Sequence, residues 1–187
     1  MNTLRWTSSD LELLPDNGKR YEIVDGELYV SKQPDMQHQI VCSRLVTFLN
    51  MWSIGTGLGE AISEPGLVFA VDDDVVPDVV WISHERFATA IQPDGKFHSC
   101  PELVIETLSP DSINVRRDRE FKRKLYSRRG AEEYWIVNWQ ERTVEVYQRE
   151  NAVLKLDRTL NENDVLTTSL LPNFTCKVSQ LFTNIMR

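Results

Sequence analysis

Residues 101–138, PELVIETLSPDSINVRRDREFKRKLYSRRGAEEYWIVN, decide how this chain folds. Glu102 to Leu108 reads as a strand, Val115 to Arg129 as a helix stopped by Gly130, and Tyr134 to Asn138 as a second strand. A strand, a helix and a strand in that order imply a crossover and a partly parallel sheet, hence an α/β domain. Alternation along the first strand puts Val104, Glu106 and Leu108 on one face, so a carboxylate sits between two apolar neighbours. On the helix, at about 100° per residue, Asp118, Phe121, Lys122, Leu125 and Tyr126 span an arc of roughly 140°. Asp118 and Lys122 therefore lie in the stripe that must pack on the sheet. An Asp and a Lys at i, i+4 can simply pair on a helix surface; a pair directed at a carboxylate-bearing sheet points to a site.

Working outward, Thr143 to Gln148 alternates as a further strand, and short strands and a terminal helix follow Val153. Upstream, Thr7 to Leu14 predicts a short helix ended by Pro15, and Arg20 to Val30 a hairpin about Asp25-Gly26. Asp35 to Trp52 spaces Val41, Cys42, Leu45, Phe48, Leu49 and Trp52 as a helix, broken at Gly55 to Gly59. Strands are predicted near Gly66 to Val71 and Val75 to Ile82. In the latter, Asp78 interrupts an apolar run, where an unpaired buried carboxylate would be costly. Two such carboxylates in one sheet call for a cation, and a hard divalent ion suits oxygen ligands.

The 187 residues carry 21 Lys and Arg against 28 Asp and Glu, a net charge of −7. As a global figure this argues against a nucleic-acid partner. The charge is uneven, however. Arg116 to Arg129 holds eight basic residues and two acids, leaving +6 there and −13 on the rest of the chain. The face carrying Arg117, Arg119, Arg123, Lys124 and Arg128 is a candidate nucleic-acid surface, with a solvated helix face as the alternative. No apolar run is long enough for a membrane span, and the N-terminus lacks the pattern of a secretory signal. Three widely spaced cysteines, Cys42, Cys100 and Cys176, fit free thiols in a reduced, cytoplasmic setting. His98 and Cys100 lack the companions of a zinc set. Asp72-Asp73-Asp74 reads as a solvated turn, and Tyr126 and Trp135 as packing residues. The chain has no G-x-S-x-G, P-loop or G-x-G-x-x-G.

YEIVDGEL, HQIV, PDVVWI, PELVIETLSPDS, the Asp118/Lys122/Tyr126 spacing and GAEEYWIVN together resemble a bacterial family of restriction-endonuclease-like domains. This family falls within the PD-(D/E)XK nuclease superfamily, and the likeness runs from about Thr7 to Phe182. It implies one domain with a central mixed β-sheet flanked by α-helices: an N-terminal helix and hairpin over 7–30, a nuclease core over about 35–150, and strands and a helix over 151–187. It also implies a metal-dependent endonuclease acting on DNA. Asp78 and Glu106 would hold Mg²⁺ or Mn²⁺ with the Thr107 carbonyl, and Lys122 would orient water or stabilise developing charge. The superfamily's usual lysine position is Leu108 here, so Lys122 stands as its migrated equivalent. Glu22 resembles a further acid of such sites, and His38 would orient one of the acids. A homodimer would supply the two sites that double-strand cutting needs. The competing readings are a nuclease fold without turnover, and a protein assembly unit using Trp6, Trp52 and Trp139.

Overall fold

A computed structural model describes residues 4–109 and 115–185. A one-turn helix, α1 (Ser8–Leu11), precedes a hairpin of β1 (Arg20–Val24) and β2 (Glu27–Ser31). Its turn residues Asp25 and Gly26 both have positive φ, 53° and 76°, as a tight two-residue hairpin turn requires. The long helix α2 (Met36–Thr56) starts at Asp35, whose carboxylate accepts from the His38 N–H at 2.9 Å. It runs one turn beyond Trp52, because the terminating left-handed residue is Gly57 (φ 70°). Then come β3 (Gly59–Ser63), β4 (Leu67–Ala70), β5 (Asp73–Val75), β6 (Val79–Ser83), α3 (His84–Ala90) and β7 (Leu103–Thr107). A π-helical turn, Arg117–Lys122, leads directly into α4 (Arg123–Arg129). The chain continues through β8 (Glu133–Asn138), β9 (Thr143–Glu150), β10 (Val153–Leu160), β11 (Val165–Leu166), β12 (Cys176–Lys177) and α5 (Val178–Leu181).

The central sheet has the order β10-β9-β8-β7-β6-β3 and is mixed: β7 and β8 run parallel, and its other pairs are antiparallel. The expected crossover therefore exists, with Glu106 opposite Ile136 in the register. Alternation sends Leu103 and Ile105 into a core shared with Val41, Leu45 and Leu49 of α2. Val104 and Leu108 enter the opposite core, against Leu125 and Tyr126 of α4. A second, antiparallel sheet, β2-β1-β5-β4, lines this latter core through Val24, Leu67 and Val75. Helix α2 thus covers one face of the central sheet, and α4 with the small sheet covers the other.

Three local expectations change. Val75 to Ile82 is two strands in two sheets, β5 and β6. The break falls at Pro77, which has no N–H to give a ladder, and it leaves Asp78 in the connection. Asp73 and Asp74 form part of β5, at 2% and 3% exposure, rather than a solvated turn. Both are partnered: Asp73 accepts from Asp25 N (2.8 Å) and Arg129 (2.5 Å), and Asp74 from Lys96 (3.2 Å). Partners of this kind remove the penalty that otherwise keeps acids in solvent. Finally, β3 and α3 arise where no regular element was expected; α3 is begun by Ser83, whose hydroxyl accepts from Arg86 N.

On β8, buried Glu133 accepts from Trp135 Nε1 (2.8 Å), Gln148 Nε2 (3.1 Å) and the Thr168 hydroxyl (2.9 Å). Burial outweighs these donors and raises its pKa above the ordinary 4.5. A carboxyl with a raised folded-state pKa stabilises the fold most when protonated in both states, and this is lost as pH climbs from about 4.5 through the folded value. Subtracting the stability of Glu133→Gln from that of wild type should give a difference that falls over this window. Urea titrations between acid and neutral pH measure it, and a pH-independent difference would refute the raised value.

Candidate active site

Asp78 follows Pro77 immediately before β6, where β7 outruns its neighbour by a residue pair. The last β6–β7 partners are Val79 and Ile105, and beyond them the Thr107 N–H donates to Asp78 Oδ2 at 2.8 Å. The carboxylate thus takes the place of a strand carbonyl. The same Oδ2 meets His38 Nε2 at 3.1 Å, and Oδ1 accepts from Arg20 NH1 at 3.1 Å. Burial alone would raise the Asp78 pKa. The His38 hydrogen bond and the charges of His38, Arg20 and Lys122 reverse this and hold it well below the usual carboxylate range. Burial likewise opposes the charged His38 ring, but the hydrogen bond to Asp78, reinforced by Cys42, pushes its pKa up to about 11.

Glu106 and Lys122 meet beside Asp78, on the face of the sheet that packs against α4. Lys122 has no exposed surface; its Nζ lies 2.8 Å from Glu22 Oε1, 2.9 Å from Glu106 Oε1 and 3.9 Å from Asp118 Oδ1. The Tyr126 hydroxyl donates to the same Glu106 Oε1 at 3.0 Å. Glu22 comes from β1, and its Oε1 also accepts from Val76 N at 2.9 Å. Burial, with the negative charges of Asp78, Asp118 and Glu22, outweighs Lys122 and raises the Glu106 pKa to about 8. The Lys122 pKa is raised too: burial opposes its charge, but Glu106, Glu22 and Asp118 prevail.

The π-helical turn explains which side chains arrive here. Hydrogen bonds from i to i+5 put more residues in each turn, so neighbouring side chains diverge by a smaller angle than in an α-helix. Arg117, Asp118 and Lys122 are all buried. Arg117 was expected on the opposite or flanking face; instead it bonds Asp118 Oδ1 (3.1 Å) and Ser31 Oγ (2.6 Å) and pairs with Glu22 Oε2 (3.4 Å).

A cavity of about 410 Å³ opens over this cluster, with Asp78, Glu106, Thr107 and Asp118 among its walls and Arg20 and Lys32 on its rim. Glu22 and Lys122 lie behind the lining. Oxygen-rich chemistry here fits a hard divalent ion. Asp78 spends three of about four acceptor positions on Arg20, Thr107 and His38. Lys122 and Tyr126 both use Oε1 of Glu106, so neither takes Oε2. Among the described residues buried Glu22 Oε2 has no hydrogen bond, its nearest cation being Arg117 NH1 at 3.4 Å. The Glu106 carboxyl, raised by burial and surrounding negative charge, is one that a cation would relieve. His38, Cys42 and Asp78 also place ligand-type atoms within 4.8 Å of one another. Here, however, His38 turns Nε2 to Asp78 and Nδ1 to Cys42 Sγ (3.6 Å), which describes a hydrogen-bonded chain rather than donors converging on one point. His98 and Cys100 belong to no such group among the described residues.

The structure thus brings Asp78, Glu106, Thr107, Lys122, Glu22 and His38 into one locality; Thr107 enters through its N–H to Asp78. Leu108, at the usual lysine position, is buried in the apolar core. The other basic residues of the helix are largely engaged elsewhere: Arg119 pairs with Glu145, and Arg128 with Asp25. Arg123 bonds the Leu154 carbonyl and lies over the Tyr147 ring. Lys124 is exposed. Sequence reasoning missed Arg20 and Cys42, and took Tyr126 as packing only. A signal existed for two of them: Arg20 is two residues before Glu22 on the same strand face, and Tyr126 is four residues after Lys122.

Residues 8–179 match the family model described as "Uma2: Putative restriction endonuclease". The chain belongs to this family. A solved structure titled as a "putative nuclease belonging to DUF820" from Anabaena variabilis superposes with a TM-score of 0.74, at 20% identity over 95% of this chain and 97% of that one. This likeness establishes the restriction-endonuclease-like fold, with its mixed sheet between helices. The type IIG restriction endonuclease BpuSI is 14% identical over 78% of this chain and 15% of its own, with a TM-score of 0.39. No curated protein matches. Among the described residues, no helix is long and apolar enough to cross a membrane.

Proposed function

We propose that this member of the family is a divalent-metal-dependent endonuclease that hydrolyses phosphodiester bonds in DNA. The observation that carries the reading is a fully buried lysine bound to two acids, Glu22 and Glu106, behind a cavity walled by Glu106 and Asp78. Asp78 and Glu106 would hold Mg²⁺ or Mn²⁺, with Thr107 beside them. When bound, such an ion lowers the pKa of water and offsets charge on the phosphate.

The chain's own groups prepare this chemistry. His38 and Arg20 keep Asp78 ionised and fix its orientation. Tyr126 holds Oε1 of Glu106, restricting its rotation. Lys122, protonated between Glu22 and Glu106 behind the cavity wall, supplies a fixed positive charge that offsets charge developing on the phosphate. Arg117 balances Glu22 and Asp118, so that Lys122 is not consumed by three acids alone. A two-fold dimer would present two such cavities to opposite strands.

Purified protein should nick or cut supercoiled plasmid with Mg²⁺ or Mn²⁺, and EDTA should stop it. Metal addition should also raise the melting temperature, since an ion bound only by the folded state stabilises it. Metal and DNA binding without cleavage would instead mark a nuclease fold that has lost turnover. Cleavage unaffected by EDTA would rule out the metal-dependent reading.

A further inference from the structure

The cavity over Asp78 and Glu106 continues into a second hollow of about 500 Å³, and the two share Arg20, Lys32, Gln33 and Pro34 as walls. The hollow adds Lys19, from the turn before β1, and Gln39, from the first turn of α2. That turn is braced by Asn17 Oδ1, which accepts from Lys19 N at 3.2 Å. Gly18 has φ +73°, and a Cβ there would lie 3.1 Å from Gln33 Nε2, so the turn packs directly against the β2–α2 loop. The two segments form one continuous trough leading to the carboxylates.

Its electrostatics differ from those of the basic helix. Lys19 and Lys32 are exposed, and neither meets a carboxylate among the described residues. Both acids along the rim are already engaged: Glu64 is paired with Arg20, and Asp35 caps α2. Arg20 stands where cavity and hollow join, its guanidinium shared between Glu64 and Asp78. By contrast, the arginines of the π-helical turn and α4 are largely spent on Glu22, Glu145, Asp25 and Asp73. On a chain that is −7 overall, Lys19 and Lys32 thus place two uncommitted charges beside the site.

We propose that this trough is the track for the DNA phosphate backbone: Lys19 and Lys32 neutralise phosphates flanking the reacting one, and the Gln33 and Gln39 amides donate to the same strand. The assignment rests on the nuclease reading and gives it a direction of substrate approach. A phosphate bound at an exposed lysine releases condensed counterions, so each contact contributes about 0.9 to the slope of log affinity against log salt on duplex DNA.

The test is fluorescence anisotropy of a fluorescein-labelled DNA duplex, titrated with protein in EDTA over a salt series. Lys19→Ala/Lys32→Ala should bind more weakly than wild type, with a salt slope smaller by about 0.9 for each lysine removed. Mn²⁺ affinity of the same variant, by calorimetry, should match wild type and show that the fold and the carboxylates are intact. Lys155→Ala, on distant β10, controls for net charge and should leave the slope unchanged. An unchanged slope in the double variant, with a reduced one in Arg119→Ala/Lys124→Ala, would move the track to the helix face and overturn the proposal while leaving the nuclease reading standing. Wild-type protein that binds no DNA duplex at all would remove both.

Discussion

Replacing Lys122 with methionine is expected to destabilise the protein by about 3–5 kcal/mol and to abolish cleavage. Methionine fills a similar volume, so the loss measures charge rather than a cavity. Without the ammonium, Glu22 and Glu106 face each other and Asp118 in a dry interior, with Arg117 as the nearest remaining cation. For a chain of this size the melting temperature should fall by roughly 6–20 °C. Neutralising one acid, as in Lys122→Met/Glu106→Gln, should recover part of that loss, and the double-mutant cycle reports the coupling directly. Cleavage should not return in the double variant, because stability and chemistry use the same ammonium for different ends. A melting temperature within a degree or two of wild type for Lys122→Met would show that the cluster does not need the charge.

Asp78→Ala should lower the cleavage rate by at least about a hundredfold at saturating Mg²⁺ or Mn²⁺. The substitution removes a metal-holding carboxylate and also frees Arg20, His38 and the Thr107 N–H, three donors that converge on it. A stability cost of about 1–3 kcal/mol is expected from the buried donors left unmatched. Asp78→Asn, which retains an acceptor for Thr107, should recover most of that stability without recovering cleavage. Plasmid nicking by both variants beside wild type, with melting curves on the same preparations, separates the two effects. Equal cutting by wild type and Asp78→Ala would assign the activity to something other than this site.

Much of the candidate site was legible in the chain because simple periodicities carried it. Period-two alternation placed Glu106 with Val104 and Leu108, and the two neighbours are indeed in the core facing α4. Helical spacing aimed Asp118 and Lys122 inward, and both are buried. Spacing put His38 on the helix face of Val41, Leu45 and Leu49, and the family resemblance made it a partner of one of the acids; which acid it met depended on where β6 begins. Arg117 could not be placed by an α-helical wheel, because the segment Arg117–Lys122 is a π-helical turn with a different angular step. The acidic triplet misled for another reason. Consecutive aspartates look solvated until their partners are known, and Arg129 and Lys96 lie 56 and 22 residues away from Asp73 and Asp74.

Local sequence by itself determined the parallel crossover of Leu103–Thr107 and Glu133–Asn138, the inward direction of Val104, Leu108, Asp118 and Lys122, and the presence of costly charges among apolar residues. These follow from backbone periodicity and from the penalty for burying an unpaired carboxylate, neither of which needs a partner to be specified. Tertiary structure alone decided how that penalty is met. It set Arg20 and His38 on Asp78, Lys122 between Glu22 and Glu106, and Tyr126 on Glu106. It also occupied most of the basic helix with internal acids and left Lys19 and Lys32 beside the cavity. Electrostatic partners act across space, at a few ångströms and tens of residues of separation, and chain spacing holds no record of that distance.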